Sequence, residues 1–159
     1  MKPENRFTMR VEKHLPPKEV FYRLKNNHSF EGGVFDKWYS GDKADIWIEY
    51  KYEPTLPVRR NITPDLSELQ KEWGRKRHAE GRRVFVIVGC QDKGVILTSP
   101  TAWERSYTPE EFCYLLKPVE EIAQWIMEQC LCDTTTFSPQ PKSRTRSTGS
   151  RSASRLPVL

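Results

Sequence analysis

Residues 45–52 read DIWIEYKY, and this stretch decides the fold. The polar residues Asp45, Glu49 and Lys51 occupy odd positions. The even positions hold apolar or aromatic residues, namely Ile46, Ile48, Tyr50 and Tyr52. Successive side chains of a β-strand point to opposite faces, and residues two apart lie about 7 Å from each other on one face. The stretch therefore predicts a two-faced strand with Glu49 and Lys51 side by side.

Two more strands are predicted before this one. Residues 20–24 form a short β candidate, and the turn-rich stretch KNNHSFEGG follows it. Gly32 and Gly33 then lead into a second strand at residues 34–39, which ends in the turn Ser-Gly-Asp at 40–42.

A helix is predicted at the start of the chain. Glu4, Phe7, Val11 and Leu15 share one face at helical spacing, with a carboxylate in the first turn. The prolines at 16 and 17 should end this helix.

A second helix is predicted beyond the proline-containing loop YEPTLPVRRNITP. Pro64 suits its first turn, and Gly81 should stop it. Its shared face would carry Leu66, Leu69, Trp73 and Arg77. The apolar run RRVFVIVG then predicts a buried strand, which the turn QDKG joins to a partner strand GVIL.

The C-terminal part is predicted to be helical and then disordered. Thr108 and Glu111 have capping-box spacing, and residues 119–131 form a last helix with Ile122, Trp125, Ile126 and Gln129 on one side. We expect one domain at 1–132 and a disordered Ser/Thr/Arg tail at 133–159, since that composition cannot bury a core. The fold class is α/β, in the order helix, three strands, helix, two strands.

Composition narrows the classes of protein that the chain can be. It has 159 residues, 36% hydrophobic and 30% charged, which fits one soluble domain. No run approaches the roughly 20 apolar residues of a membrane span, and the start MKPENRFTMR lacks a secretory signal, so a cytoplasmic protein is expected. The tail holds five cations and one carboxylate, a net +4 of the total +5. Charge alone is thus a weak argument for nucleic acid.

The cysteines and histidines do not predict a metal site. Four cysteines form no C-x-x-C pair, and the three histidines lie at no finger-like spacing from them. A structural zinc site is not expected, and the thiols should be reduced and mostly buried.

The predicted chemistry centres on two carboxylates and a lysine. Asp36, on the neighbouring predicted strand, and Glu49 would form an oxygen cage for a hard divalent ion, and Lys51 could orient a water and offset phosphate charge. Phosphodiester hydrolysis needs this combination. An acid followed by Glu-x-Lys is nevertheless a weak pattern by itself.

The surrounding sequence is more specific. The segments GGVFDKWYSG, DIWIEYKY, LSELQKEW, HAEGRRVFVIVG and GVIL, in this order, resemble the VRR-NUC branch of the PD-(D/E)xK nucleases, especially its small stand-alone phage members. The resemblance spans most of residues 4–98. It implies a restriction-endonuclease-like core, which agrees with the element order above. Phe35 stands where the family has a proline, a departure that affects loop stiffness more than ligation.

The resemblance also implies functional residues and an activity. The family's site would comprise Asp36, Glu49, Lys51, Gln70 and Glu4, with Mg²⁺ on Asp36 and Glu49 and with Mn²⁺ as a substitute. It implies an endonuclease that acts on DNA, in particular on branched DNA such as four-way Holliday junctions. Symmetric cutting of a junction would require a homodimer. No base-reading motif is seen, which favours recognition of DNA structure over sequence.

Several residues keep a second interpretation. Glu4 could serve the helix dipole, Asp36 could be a turn residue, and Glu49 with Lys51 could be an exposed ion pair. Gln70 could simply complete a capping box with Ser67. A catalytically silent module that binds nucleic acid or a host protein, and an RNA nuclease, are the alternative functions.

Seven basic residues are the candidate contacts to DNA, or else they form a solvated helix face. They are Arg59, Arg60, Lys71, Arg75, Lys76, Arg82 and Arg83.

Overall fold

The computed structural model describes residues 1–26 and 32–135. Its helices are α1 (Pro3–Glu12), α2 (Glu68–Ala79), α3 (Pro100–Glu104), α4 (Pro109–Leu115) and α5 (Val119–Cys130). Its strands are β1 (Tyr22–Lys25), β2 (Lys37–Ser40), β3 (Asp45–Tyr52), β4 (Val84–Cys90), β5 (Lys93–Leu97) and β6 (Lys117–Pro118). The predicted tail lies outside the described residues from 136 onward.

The six strands form one sheet in the order β1-β2-β3-β4-β5-β6. The central pair β3 and β4 is parallel and is joined by the crossover helix α2, while every other pair is antiparallel. The predicted α/β fold class is confirmed, with the element order of a restriction-endonuclease-like core. No helix in the described residues is long and apolar enough to cross a membrane.

The core lies on both faces of the sheet. Helices α1 and α5 pack on one face, where Phe7, Ile48 and Ile126 are completely buried. Helices α2, α3 and α4 cover the other face around Phe35, Val86 and Trp103. Because side chains alternate along β3, its even-numbered residues face α1 and α5, and Trp47 and Glu49 face α2, α3 and α4.

Helix α1 is fixed to the sheet by a half-buried ionic cluster. Glu12 accepts a hydrogen bond from the Tyr39 hydroxyl at 3.1 Å and forms an ion pair with Lys37 at 2.7 Å. These contacts hold the helix that carries Glu4 against β2.

Several predicted boundaries were wrong. Strand β1, expected at residues 20–24, runs from Tyr22 to Lys25. Helix α1 ends at Glu12, because tight i to i+3 turns precede the two prolines and the residue before a proline avoids the helical region. Helix α2 begins behind Ser67 and not at Pro64, because Ile62 pairs with Tyr107 and keeps the chain extended. Strand β2 begins only at Lys37.

The segment before β2 follows a different path for a steric reason. Phe35 is fully buried and its ring lies 4.9 Å from that of Trp73 on α2, so residues 34–36 serve the core and not the ladder. Gly33 has φ of +96°, and a Cβ there would meet the carbonyl oxygen of Leu69 at 2.5 Å. Only glycine permits this close approach to α2.

The remaining expectations differ in smaller ways. Leu69, expected on the apolar face of α2, is 57% exposed, and the half-buried Trp125 and Gln129 lie beside the buried face of α5. Gly81, with φ of +76°, follows the end of α2 as predicted. All four cysteines are free, and two of them, Cys90 and Cys130, are buried.

Candidate active site

Glu49 is the centre of the candidate site. Its side chain is only 2% exposed, and three groups donate hydrogen bonds to its carboxylate. The Lys51 ammonium lies 3.0 Å and the Gln70 side-chain amide 2.6 Å from Oε1, and the backbone N–H of Asp36 lies 3.1 Å from Oε2. Groups from β3, from α2 and from the segment before β2 therefore meet on one buried carboxylate.

Strand alternation places Glu49 and Lys51 together, as predicted. Lys51 is 18% exposed, so its ammonium lies at the edge of the core within reach of a ligand. Since both side chains are largely buried, the alternative interpretation of Glu49 and Lys51 as an exposed surface ion pair is excluded.

Gln70 completes the capping box and also reaches the candidate site, where its observed partner is the Glu49 carboxylate. Its side-chain oxygen accepts from the backbone N–H of Ser67 at 3.0 Å, which completes the capping box of α2. Its amide nitrogen donates to Glu49 at the same time. The cap thus fixes the rotamer in which Gln70 reaches the carboxylate.

Asp36 lies one residue before β2, and its carboxylate adds negative charge to the cluster. That charge raises the pKa of Glu49 and also the pKa of Glu4, in each case as a smaller cause than burial. The backbone N–H of Asp36 also enters the site, where it donates to Glu49.

Burial raises the pKa of Glu49 from 4.5 to about 7. Desolvation is the largest cause, and the Asp36 charge adds to it, while Lys51 opposes both. A carboxyl group near half-ionisation at neutral pH is typical of functional sites, although structural ion pairs also perturb pKa values.

Glu4 borders the same cluster from the first turn of α1. Burial raises its pKa, and the charges of Lys51 and Asp36 act on it in opposite directions. Glu4 and Lys51 both line a cavity of about 360 Å³, which also contacts Lys2, Glu53 and Asp65. The sequence analysis missed the last three, although Glu53 continues the alternation of Glu49 and Lys51.

The carboxylate cluster has the donor chemistry for a divalent cation. Among residues 1–26 and 32–135, no group of three or more His, Cys, Asp or Glu side chains is arranged to hold a metal. Mg²⁺, however, is usually held by one or two carboxylates, with waters and substrate phosphates completing its shell. Glu4, Asp36 and Glu49 with Lys51 carry a formal charge of −2 when ionised, so Asp36 and Glu49 fit such an ion.

The seven basic residues predicted to contact DNA fall into two sets, those with a side-chain partner and those without an ion pair in the described residues. Four members have a partner: Arg60 with Glu53, Lys71 with Glu68 at 2.7 Å, Arg75 with Glu104 at 2.6 Å, and Arg83 with Gln129 at 2.7 Å. Gln129 lies on α5, so the Arg83 side chain reaches toward the face of the sheet that is opposite to α2. Arg59, Lys76 and Arg82 are exposed and make no ion pair within the described residues.

No family model and no curated protein matches the chain. Among solved structures, the chain is similar to Hjc, a Holliday junction resolvase from the archaeal hyperthermophile Archaeoglobus fulgidus. The identity is 13% and the TM-score 0.47, over 77% of this chain and 96% of the resolvase.

Proposed function

We propose that the protein is a Mg²⁺-dependent DNA endonuclease of the VRR-NUC branch of the PD-(D/E)xK nucleases. One observation carries this proposal: Lys51, Gln70 and the Asp36 backbone all donate to the buried carboxylate of Glu49. The sequence predicts Asp36, Glu49 and Lys51 for phosphodiester hydrolysis, and the family resemblance implies Gln70 beside them. A silent binding module has no need to bury an ionisable carboxylate at such a site.

Each residue has a role that follows from its position. Asp36 and Glu49 would hold the cation, which would supply positive charge to polarise the scissile phosphate and acidify water. Lys51 would orient the attacking water and offset phosphate charge from the cavity edge. Gln70 would keep Glu49 in place through the amide contact, and Glu4 would accept a hydrogen bond from water beside Lys51.

The reaction is an in-line hydrolysis. The water oxygen forms a bond to phosphorus, the bond from phosphorus to the 3′ oxygen breaks, and a proton passes to that leaving oxygen. The products are a 5′-phosphate and a 3′-hydroxyl.

We propose branched DNA, such as a four-way junction, as the preferred substrate and a homodimer as the form that cuts it symmetrically. Arg59, Lys76 and Arg82, which make no ion pair within residues 1–26 and 32–135, offer contacts to phosphates, and such contacts read charge and shape and not base sequence. The remaining predicted cations would have to leave their present partners to contribute.

The test compares linear, flap and four-way DNA, and matched RNA, as substrates of the wild type and of Lys51→Ala in Mg²⁺, Mn²⁺ and EDTA. We expect metal-dependent cutting with a preference for branched DNA, and a loss of at least about 100-fold in Lys51→Ala. Lys43→Ala is the matched control, because Lys43 precedes β3 at the opposite end from Lys51 and bonds a backbone carbonyl of α5. Binding without cutting would establish the silent module, and faster cutting of RNA would establish the RNA nuclease.

A further inference from the structure

A second cavity, of about 260 Å³, adjoins the candidate active site. Trp47, Trp73, Arg77, Arg82 and Val84 line it. The two indole rings stand 5.9 Å apart at 72°, and the Arg77 guanidinium lies 5.9 Å from the centre of the Trp73 ring. The cavity therefore offers aromatic surface with two cations at its border.

The aromatic surface continues across the sheet toward its edge. Trp38 on β2 stacks on Trp47, with ring centres 6.2 Å apart and an angle of 25°. Tyr22 on β1 contacts Trp38 edge-on and is 51% exposed, and Leu24 is 50% exposed. A strand of nucleic acid lying across β1, β2 and β3 on this face would meet the rings of Tyr22, Trp38 and Trp47 in succession.

The cavity is next to the carboxylate cluster along two elements at once. Trp47 lies two residues before Glu49 on the same face of β3, about 7 Å away. Trp73 lies one turn after Gln70 on α2, where side chains three apart are neighbours. A polymer whose phosphate reached Glu49 and Lys51 would bring its adjacent unit to the two tryptophans.

The charges around the cavity favour an anionic aromatic ligand. Glu80 neutralises Arg77 only in part, through an exposed ion pair at 2.8 Å, and Arg82 makes no ion pair within the described residues. Indole rings stack on nucleobases, and arginines bind the flanking phosphates. A second copy of the chain is a poorer match, since a two-fold axis through this cavity would bring Arg77 and Arg82 close to their own copies.

We propose that this cavity binds an unstacked nucleobase of the strand cleaved at the neighbouring site, with Arg77 and Arg82 on the adjoining phosphates. The proposal rests on the nuclease function proposed above, and it names the substrate feature recognised: an unpaired nucleotide next to the scissile phosphate. Branch points and frayed ends supply such nucleotides, whereas an intact duplex does not.

The experiment measures binding without cleavage, in EDTA and in the Lys51→Ala background. Short oligothymidylate is compared with an abasic oligomer that has the same number of phosphates, by tryptophan fluorescence and anisotropy. We expect oligothymidylate to bind about tenfold more tightly and to quench the fluorescence, because a base stacked on an aromatic ring contributes within this range. Trp47→Leu and Trp73→Leu should remove the difference and leave the affinity for the abasic oligomer unchanged.

Two further variants separate stacking from charge and from folding. Trp125→Leu is the matched control, because this half-buried tryptophan packs against Phe85 beside the α5 core. It should keep the preference for bases. Arg82→Gln, at an exposed position that cannot compromise the core, should weaken both oligomers equally and reduce the magnitude of the log-affinity against log-salt slope by roughly 0.7.

Equal affinity of the wild type for the two oligomers would overturn this proposal even if the protein cuts DNA. A preference for bases in a protein that cuts nothing would instead refute the nuclease function and leave the subsite standing. If the free protein is a dimer that Trp47→Leu dissociates, the cavity belongs to a second copy and the proposal is wrong.

Discussion

Replacing Glu49 with glutamine should shift the stability of the metal-free protein, relative to the wild type, increasingly in favour of the variant as the pH rises. Burial raises the pKa of this carboxyl from 4.5 to about 7. Between these values the folded chain retains a proton that the unfolded chain has released, so the free energy of unfolding of the wild type falls as the pH rises through this window. At 1.36 kcal/mol per pKa unit, the loss is about 3 kcal/mol by pH 8.

Glutamine cannot ionise and avoids that loss, but it lowers the free energy of unfolding at every pH because its amide nitrogen cannot accept a hydrogen bond. Its side-chain nitrogen would face the backbone N–H of Asp36, or else the Lys51 and Gln70 donors. The informative quantity is therefore the free energy of unfolding of the variant minus that of the wild type. We expect this difference to change by about 2 to 3 kcal/mol in favour of the variant between pH 5 and pH 8.

Urea unfolding in EDTA at several pH values measures this difference. Glu128→Gln, which replaces an exposed carboxylate on α5, is the control for the substitution itself. A difference for Glu49→Gln that changes with pH no more than that of the control would refute the reasoning, because it would mean that the Glu49 carboxyl ionises in the folded protein as easily as in water.

Other predictions concern single contacts. Gln70→Ala should lose the bond to Glu49 and the Gln70 half of the capping box, and thus reduce both stability and cleavage, whereas Ser67→Ala, which removes the hydroxyl half of the box, should cost only about 1 kcal/mol of stability in urea unfolding. Gly89→Ala should destabilise the protein by about 1 to 3 kcal/mol, since its Cβ would meet the Phe7 ring at 2.5 Å; unfolding within error of the wild type would contradict this. Deleting residues 136–159, with their five cations, should leave the thermal midpoint nearly unchanged and lower the salt slope of DNA binding, and an unchanged slope would show that the tail does not contact DNA.

The sequence was most informative where one physical rule acted alone. The alternation of polar and apolar residues at 45–52, interrupted only at Trp47, predicted β3 with its observed bounds and put Glu49 and Lys51 on one face. The capping box at Thr108 and the stop at Gly81 are also local chemistry, and both are present. Such features need no knowledge of the rest of the chain.

Features that depend on tertiary contacts were not predictable in the same way. Helix α3 has only five residues and β6 only two, too few for a periodic pattern, and β6 exists through its pairing with β5. The partners of the long basic side chains depend on which carboxylates the fold brings near them. The tryptophan cavity depends on how α2 docks on β3, because Trp47 and Trp73 lie far apart in the sequence.

The double contact of Gln70 shows the same limit within the site. Sequence spacing indicated a capping box and the resemblance indicated a functional glutamine, and these looked like alternatives. Only the position of α2 over β3 shows that one side chain makes both contacts.

The central claim is that Asp36 and Glu49 hold the cation with which the protein cuts DNA. The most direct measurement is single-turnover cleavage of a four-way junction in Mg²⁺ by the wild type, Asp36→Asn and Asp45→Asn, with binding measured in Ca²⁺. Asp45 is the control because its exposed carboxylate, at the start of the same strand, accepts a bond from Ser40 at 2.6 Å. We expect Asp36→Asn to bind the junction and not cut it, while Asp45→Asn cuts like the wild type. Cleavage by Asp36→Asn at the wild-type rate would contradict the account.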